Sequence, residues 1–538
     1  MKRFIFPTLT LLLFAACEKK PETVEVSEAS IREHVKTLAS DDFQGRKPFT
    51  EGETKTLDYL VSQLKSLGIE PGNGDSYFQE VPMVELTAVP SETMTVSGGL
   101  SNISLQLSTD FVVYSERVIE EVNLENSELV FAGYGVVAPE YDRNDYEGLD
   151  VKGKTVVVLV NDPGFGSGDS TLFKGETMTY YGRWTYKFEE AARQGAAGCL
   201  IVHQTVPAGY PWAVVQNSWS GASLFLDQSN GAYQLAVQGW ITREAAIELF
   251  KTSGKEIDNF NELARSRDFR PMELGISASV SVKNVIKKSV SQNVVGKITG
   301  IKRPEETIIY SAHWDHLGIG LELDGDSIYN GAHDNATGSA GLLAIAEAFS
   351  KSSKPDRTAV FLWVTAEEQG LLGSKFYADN PIYDVKKTVA NINMDGLPYI
   401  GKMKDLTIVG YGQSEMDDIA TRLAEKQGRY VIPDPEPGKG YFFRSDHFHF
   451  ARVGIPPLYA SGKYEHWDKG VEYAQEKSLE FLTNAYHKPA DEYDESWDMS
   501  GAWLDAQLMY EIGRELGNSE TWPKWKEGSE FKTMRDGN

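Results

Sequence analysis

Apolar and polar positions along the chain fall into three textures. Between residues 28 and 67, apolar residues recur every three or four positions. Ser27 offers an N-cap to an amphipathic helix through Leu38, and Leu57, Leu60, Val61 and Leu64 lie on one face of a second helix over 54–67. From about 110 to 285 the chain shows short β-type runs (129–137, 155–160, 199–202), Gly- and Pro-rich turns and only one or two convincing helices. After Ser291, apolar runs at 293–299, 307–312, 359–365, 389–393, 406–410 and 457–460 alternate with helical stretches. A last amphipathic helix covers 500–516. Alternation of this kind predicts a three-layer α/β domain with a largely parallel mixed sheet, and the middle texture reads as a domain inserted into it.

The expected organisation is therefore 1–17 leader, 18–27 polar tether, 28–109 first part of the α/β domain, 110–285 insert, 286–525 main part of the α/β domain and 526–538 a loose charged tail. Antiparallel strands over 76–107 are expected at the edge of the main sheet. The stretch 432–440, I-P-D-P-E-P-G-K-G, is expected to be a rigid loop beside the pocket.

Chemistry concentrates where the apolar runs of the last texture end. His313 and Asp315 close one run two residues apart, so the carboxylate can steady the imidazole. Asp334 follows the turn at Gly331 and precedes a helix start built of small residues, a setting that can hold a carboxylate rigidly between two ions. Glu367 and Glu368 follow the run 359–365, where adjacent side chains point different ways, so one can bind metal while the other moves protons. Asp395 ends 389–394, and a further ligand is taken from His487 in N-A-Y-H-K-P-A-D-E. Oxygen and imidazole donors without thiolate suit a hydrolytic zinc site, and several carboxylates with few histidines suit paired metals. His316 and His333 flank these ligands out of phase with them, His447 and His449 lie in R-S-D-H-F-H-F, and all four read as supporting or packing groups.

Five pieces in order, H-W-D at 313–315, G-A-H-D-N at 331–335, E-E at 367–368, N-M-D at 393–395 and Y-H-K-P-A-D at 486–491, resemble the M28 family of co-catalytic zinc peptidases. The resemblance implies two zinc ions per chain, one held by His313 and Asp395, the other by Glu368 and His487, with Asp334 bridging. It implies Glu367 as general base, Tyr486 as the residue that polarises the carbonyl or stabilises its oxyanion, and a cis peptide at Asp334-Asn335. Arg444 to Asp446 match the family's R-S-D segment near the pocket for the substrate's first residue. The insert resembles the mainly-β protease-associated (PA) domain in F-A-G-Y-G at 131–135, the turn Lys152-Gly153-Lys154 and K-F-E-E-A-A-R-Q-G-A-A-G-C-L-I-V at 187–202. Its additional aromatics Tyr180, Tyr181, Trp184, Tyr186, Tyr210, Trp212 and Trp219 either roof the metal site or fill the insert's own core.

Composition narrows the partners. A formal net charge of −25 disfavours nucleic acid and anionic membrane surfaces. Residues 1–17 have a basic start, an apolar run too short to span a bilayer, and Ala15-Ala16-Cys17, which looks like a bacterial lipobox with Phe14 where Leu is usual. This predicts export, with a lipid anchor at Cys17 as the one membrane attachment, in the outer membrane facing the periplasm or at the cell surface. Cys199 then has no partner for a disulfide. The function expected is an exported zinc exopeptidase acting on peptides, an aminopeptidase. Alternatives are a carboxypeptidase or dipeptidase on the same zinc set, with Arg444 as a carboxylate clamp, or a relative turned to binding or to glutaminyl cyclisation.

Overall fold

The computed structural model describes residues 24–227, 234–255 and 259–536. The leader and most of the tether, including Cys17, lie outside the described residues.

The first helix is Glu28–Leu38, with Ser27 accepting a hydrogen bond from the Ser30 amide at its start. The second runs Glu51–Ser66, three residues longer at its start than the periodicity indicated. Its added turn holds Glu53, whose carboxylate accepts from the Phe49 amide and the Ser291 hydroxyl. These contacts are tertiary, so no local spacing announces them.

The main sheet runs, in order, Phe78–Pro90, Met272–Ile298, Arg357–Val364, Arg303–His313, Thr388–Asn393, Pro457–Ser461, Asp405–Ile408 and Tyr430–Pro433. Its centre is parallel: Arg303–His313 lies between Arg357–Val364 and Thr388–Asn393, which in turn pairs in parallel with Pro457–Ser461. Both faces are covered, as the unbroken apolar runs require. Ile308, Tyr310 and Ala312 point into one core with Val35, Leu342, Ile345 and Leu508 from the helices of that face. Ile309, Val360, Leu362 and Val364 point into the opposite core, beneath Tyr377, Phe450 and Ile455.

The insert is joined to this sheet by one continuous strand, Met272–Ile298, and by Ala222–Leu226, which pairs antiparallel with Phe78–Pro90. Its last part pairs with Phe78–Pro90 and Arg357–Val364, and its first part pairs with Glu121–Phe131 and Thr93–Ser97. The expected boundary at 285/286 thus falls inside a strand. Thr93–Ser97 and Ile103–Gln106, expected at the edge of the main sheet, pair on the insert's side. A one-residue alternation carries no mark of which layer it faces, so a strand that passes between two layers reads as two.

Within the insert, Glu121–Phe131, Thr155–Leu159, Gly198–Val202 and Val237–Ile241 pair in parallel. The helices Trp184–Arg193 and Arg243–Thr252 are joined by shorter ones at Thr205–Ala208, Trp212–Ser218 and Phe260–Arg265. The insert therefore holds more helix than its texture indicated, because one- and two-turn helices are too short to show a 3.6-residue period. Cys199 is buried in its apolar core.

The end of the chain also differs from expectation. Phe531 is buried with Trp525, Phe442 and Phe448, and Lys532–Asp536 is helical. Arg535 donates to the Thr388 carbonyl at 3.0 Å. Two aromatic anchors and one arginine tie down a tail whose charge suggested it was loose. Among the described residues no helix is long and apolar enough to cross a membrane.

Candidate metal centre

The predicted ligands converge where the parallel strands end. His313, the last residue of Arg303–His313, is buried, and its Nε2 lies 3.4 Å from Asp334 Oδ1 and 3.4 Å from Asp395 Oδ1. On the far side of Asp334, His487 Nε2 lies 3.2 Å from Asp334 Oδ2 and 3.2 Å from Glu368 Oε2. Asp334 thus stands between the two imidazoles, one oxygen toward each. Three overlapping groups, His313/Asp334/Asp395, His313/Glu367/Glu368 and His316/Asp334/Glu368, bring their donor atoms within 4.8 Å of one another.

The backbone explains why Asp334 holds its place. The Asp334-Asn335 peptide is cis, as the resemblance implied. Asn335 Oδ1 accepts from the amides of Gly338 at 2.9 Å and Gly396 at 3.1 Å, tying the bridging segment to the segment that carries Asp395. A Cβ at Gly338 would come within 2.2 Å of that same Asn335 oxygen, so the helix can start here only with glycine. Asp491 clamps the other side, Oδ1 accepting from the His333 amide at 2.9 Å and Oδ2 from the Asp334 amide at 3.0 Å. Asp491 was visible in the sequence as the end of Y-H-K-P-A-D, but nothing there assigned it a task.

Other placements refine the expectations. His313 Nδ1 meets the Asp315 carbonyl at 3.1 Å, whereas the Asp315 carboxylate is 3.9 Å away and accepts instead from the Glu367 amide at 3.1 Å. Asp315 therefore steadies the imidazole through its backbone and the Glu367 turn through its side chain. His316, read as a supporting group, meets Glu368 Oε1 through Nδ1 at 2.6 Å and belongs to one of the donor groups above. His447 packs against the rings of Phe442 and Tyr459, and His333 against Phe481 and Tyr399. Tyr486 is 42% exposed at the mouth, stacked on His487 with centroids 3.9 Å apart. Arg444 is exposed, with its guanidinium over the Tyr441 ring.

Arg46 was missed entirely. It is buried beneath the cluster and donates to the carbonyls of Trp314, Leu38, Asn330 and Gly331 at 2.6–2.9 Å, pinning the segments that carry His313 and Asp334. Burial pushes its guanidinium down to about 10, opposed by the fields of Asp491, Asp315, Asp334 and Glu368. A lone arginine in a polar loop gives no local signal of such a role.

Of the aromatics in the insert, Tyr180, Tyr181 and Tyr186 join a core shared with Phe442, Phe443 and Phe448 of the main domain. Trp184, Tyr210, Trp212 and Trp219 pack on the insert's own core. The insert is thereby seated on the loop 434–444. A Cβ at Gly440 would come within 2.6 Å of Met178 Sδ, and one at Gly438 within 2.8 Å of the Glu176 carbonyl.

The electrostatics describe a centre short of positive charge. Burial, with Asp395, Glu368 and Asp446 nearby, raises the Glu367 carboxyl well above the carboxylate range, although His313 opposes this. Burial lifts Asp315 to about 8 and Asp446 to about 7. Burial would lower both ligand imidazoles, but the acidic groups win. Glu367, Asp334 and Asp395 raise His313 well above its ordinary value, and Asp334 and Glu368 raise His487 to about 10. In the metal-free chain these two imidazolium groups supply charge that a cation would otherwise bring. His313 Nε2 and His316 Nε2 are buried without a hydrogen-bond partner, as are Asp315 Oδ2 and both carboxylate oxygens of Asp446. Orphaned donors and acceptors of this kind, in an oxygen-and-imidazole set, fit zinc.

An α/β sheet with a parallel centre and this donor set at its strand ends defines a metallopeptidase type of domain. Residues 293–510 match the model of Peptidase family M28. Among curated relatives, leucine aminopeptidase 2 of Trichophyton equinum is 26% identical over 192 residues, covering 34% of this chain and 35% of the relative. Aminopeptidase NAALADL1 of Mus musculus is 33% identical over 127 residues, covering 22% of this chain and 16% of the relative. The chain thus spans about a third or less of the length of these relatives. Among solved structures, the aminopeptidase from Aneurinibacillus sp. strain AM-1 superposes with a TM-score of 0.44 at 18% identity, covering 93% of this chain and 96% of that one. BSAP, a zinc aminopeptidase from Bacillus subtilis, gives 0.42 at 17% identity, covering 93% and 98%.

Proposed function

We propose that this chain is an exported exopeptidase that releases N-terminal residues from peptides at a centre of two zinc ions. The observation that carries the reading is Asp334, with one oxygen toward the His313 imidazole and the other toward His487, and with Glu367 beside the pair. His313 and Asp395 would hold one ion, Glu368 and His487 the other, and Asp334 both. When bound, zinc supplies Lewis acidity to the scissile carbonyl and lowers the pKa of the attacking water.

The chain's own groups do the rest. Glu367, raised in the metal-free chain by burial and its acidic neighbours, would be ionised once the charge of zinc offsets them; its carboxylate then takes the water's proton and returns it to the leaving amine. Tyr486 at the mouth donates its hydroxyl to the oxygen that gains negative charge. The carboxylates of Asp395 and Glu367 receive the substrate's α-ammonium. Asp315 and Asp491 hold the Glu367 turn and Asp334 in position through backbone amides.

Metal analysis of the purified protein, together with hydrolysis of free and N-acetylated peptides with and without a chelator, tests the reading. Two zinc ions per chain, and chelator-sensitive release of N-terminal residues from free peptides alone, are expected. Equal cleavage of acetylated peptides overturns the aminopeptidase assignment. Export and lipidation at Cys17 are part of the proposal on the strength of residues 1–17. Intact-mass analysis of the mature protein checks both, since an unmodified Cys17 removes the anchor.

A further inference from the structure

Three cations, Arg183, Arg444 and Lys463, gather around Tyr441 and the segment that ends in Arg444, in a chain where acidic residues outnumber basic ones by 78 to 53. The Arg444 guanidinium lies over the Tyr441 ring at 5.4 Å, and the Lys463 ammonium is 6.0 Å from the centroid of the same ring. Arg183 arrives from the insert. Tyr180 stacks on Phe443, and the Met178 amide donates to the Pro437 carbonyl at 3.3 Å, which seats the segment before Arg183 against the segment that ends in Arg444. Among the described residues, none of the three forms an ion pair.

Their mutual influence agrees with that placement. Burial, with Arg444 beside it, lowers the Arg183 guanidinium to about 10. Lys463 is exposed at the rim, yet the protein packed around it pushes its ammonium down, against the fields of Asp434, Asp405 and Asp395. The last of these is a residue of the metal cluster. Ser445, next to Arg444, accepts a hydrogen bond from Asn393 at 2.8 Å, two residues before Asp395. The Arg444 segment is thus tied to the strand that leads into Asp395.

Like charges gathered without a direct ion-pair partner repel one another, and such a group is suited to receive an anion. We infer that Arg183, Arg444 and Lys463 form a clamp for a substrate carboxylate, so that the preferred substrates are short peptides whose free C-terminus reaches the clamp while their N-terminus lies at the metal centre. This rests on the aminopeptidase reading and deepens it. The insert then measures the substrate as well as covering the site, because one of the three cations belongs to it. An acidic side chain near the scissile bond presents the same chemistry as a terminal carboxylate, and the experiment separates the two.

The test is calorimetric binding to the full-length, zinc-loaded Glu367→Gln protein, which prevents turnover. Leucylleucine is expected to bind about tenfold or more tightly than leucylleucine amide, the scale of hydrogen bonds to a charged group. In the Glu367→Gln/Arg183→Gln/Arg444→Gln protein this ratio should fall to near one. Equal affinity for the acid and the amide in the Glu367→Gln protein overturns the clamp without reliance on any clamp variant. A preference for leucylglutamate amide over leucylglutamine amide, without a preference for the terminal acid, assigns the cations to an acidic side chain and overturns the terminal reading. Failure of the wild-type enzyme to hydrolyse leucinamide with zinc present defeats the aminopeptidase reading alone, because the binding comparison stands without turnover.

Discussion

A cluster of buried charge at the ends of the main sheet's strands and another inside the insert differ in how completely they are satisfied. In the insert, the Lys187 ammonium donates to the carbonyls of Tyr134, Asn161 and Tyr181 at 2.6–2.8 Å. Asp162 accepts from the Thr179 amide and hydroxyl and from the Gly164 amide, and Asp145 accepts from the Tyr134 and Val136 amides and from Arg143. At the main centre, two imidazole nitrogens and three carboxylate oxygens of His313, His316, Asp315 and Asp446 are buried with no partner. A knot that closes on itself is structural. A cluster that leaves its donors unsatisfied is built for something that arrives from outside.

The largest effect that could break this distinction is catalytic. Glu367→Gln is expected to lower kcat by about 10²–10⁴-fold, the scale of a lost general base. Zinc content and Tm should stay at wild-type values, because the Asp315 contact to residue 367 is made by its backbone amide. A variant that keeps wild-type kcat ends the proton-transfer role.

Next in size is the converse experiment in the knot. Lys187→Met removes the hydrogen bonds of three carbonyls and leaves Asp162 without its nearby cation, at an expected cost of roughly 3–5 kcal/mol in denaturant melts. Zinc bound per folded chain should not change. Loss of zinc with little loss of stability would reverse the roles assigned to the two clusters.

A smaller effect sharpens the comparison within the centre itself. Asp491 touches no candidate ion and acts on Asp334 through the amides of residues 333 and 334. Asp491→Ala should weaken zinc binding by roughly 10–100-fold, as loss of a supporting group does, measured by competition with a chelator. Unchanged affinity would mean that the cis segment holds Asp334 unaided.

What the sequence revealed, and what it hid, follows the same division. The candidate ligands His313, Asp334, Glu368 and Asp395 were legible because each closely follows an apolar run or a glycine turn, and strand ends are where a sheet with a parallel centre presents side chains; His487 was legible only through the Y-H-K-P-A-D piece. The central strands and the helices Glu28–Leu38 and Ser500–Asn518 were legible for the same local reason. Arg46, the clamp by Asp491 and the Lys187 knot were not, because their partners are backbone carbonyls and amides that many residue types could supply. The 27-residue strand Met272–Ile298 hid because it changes layers without changing its alternation. Arg444 was singled out from its motif, whereas its neighbour Arg183 comes from a separate domain and is brought there only by the docking of Tyr180 on Phe443.

The smallest effect is a pH dependence whose sign separates the clusters. His487 in the metal-free chain is raised from 6.5 to about 10 by Asp334 and Glu368 against burial. A raised imidazole contributes stability that is fully present below 6.5 and is lost as pH climbs through about 10. Zinc requires the neutral imidazole and replaces that proton, so the loaded protein lacks this slope. Burial instead pushes the Lys187 ammonium below its ordinary 10.5. A depressed ammonium binds fewer protons folded than unfolded, so its contribution to stability rises with pH toward 10.5 and partly offsets the first slope. The Tm difference between zinc-loaded and metal-free protein should therefore widen by about a few °C between pH 6.5 and 9, a shift on the scale of roughly 3 kcal/mol in a chain of this size. In Lys187→Met, the metal-free Tm should fall more steeply with pH than in wild type. Parallel Tm-against-pH curves with and without zinc would mean that the His487 proton and the metal do not compete for the same nitrogen, and the centre would need a different ligand set.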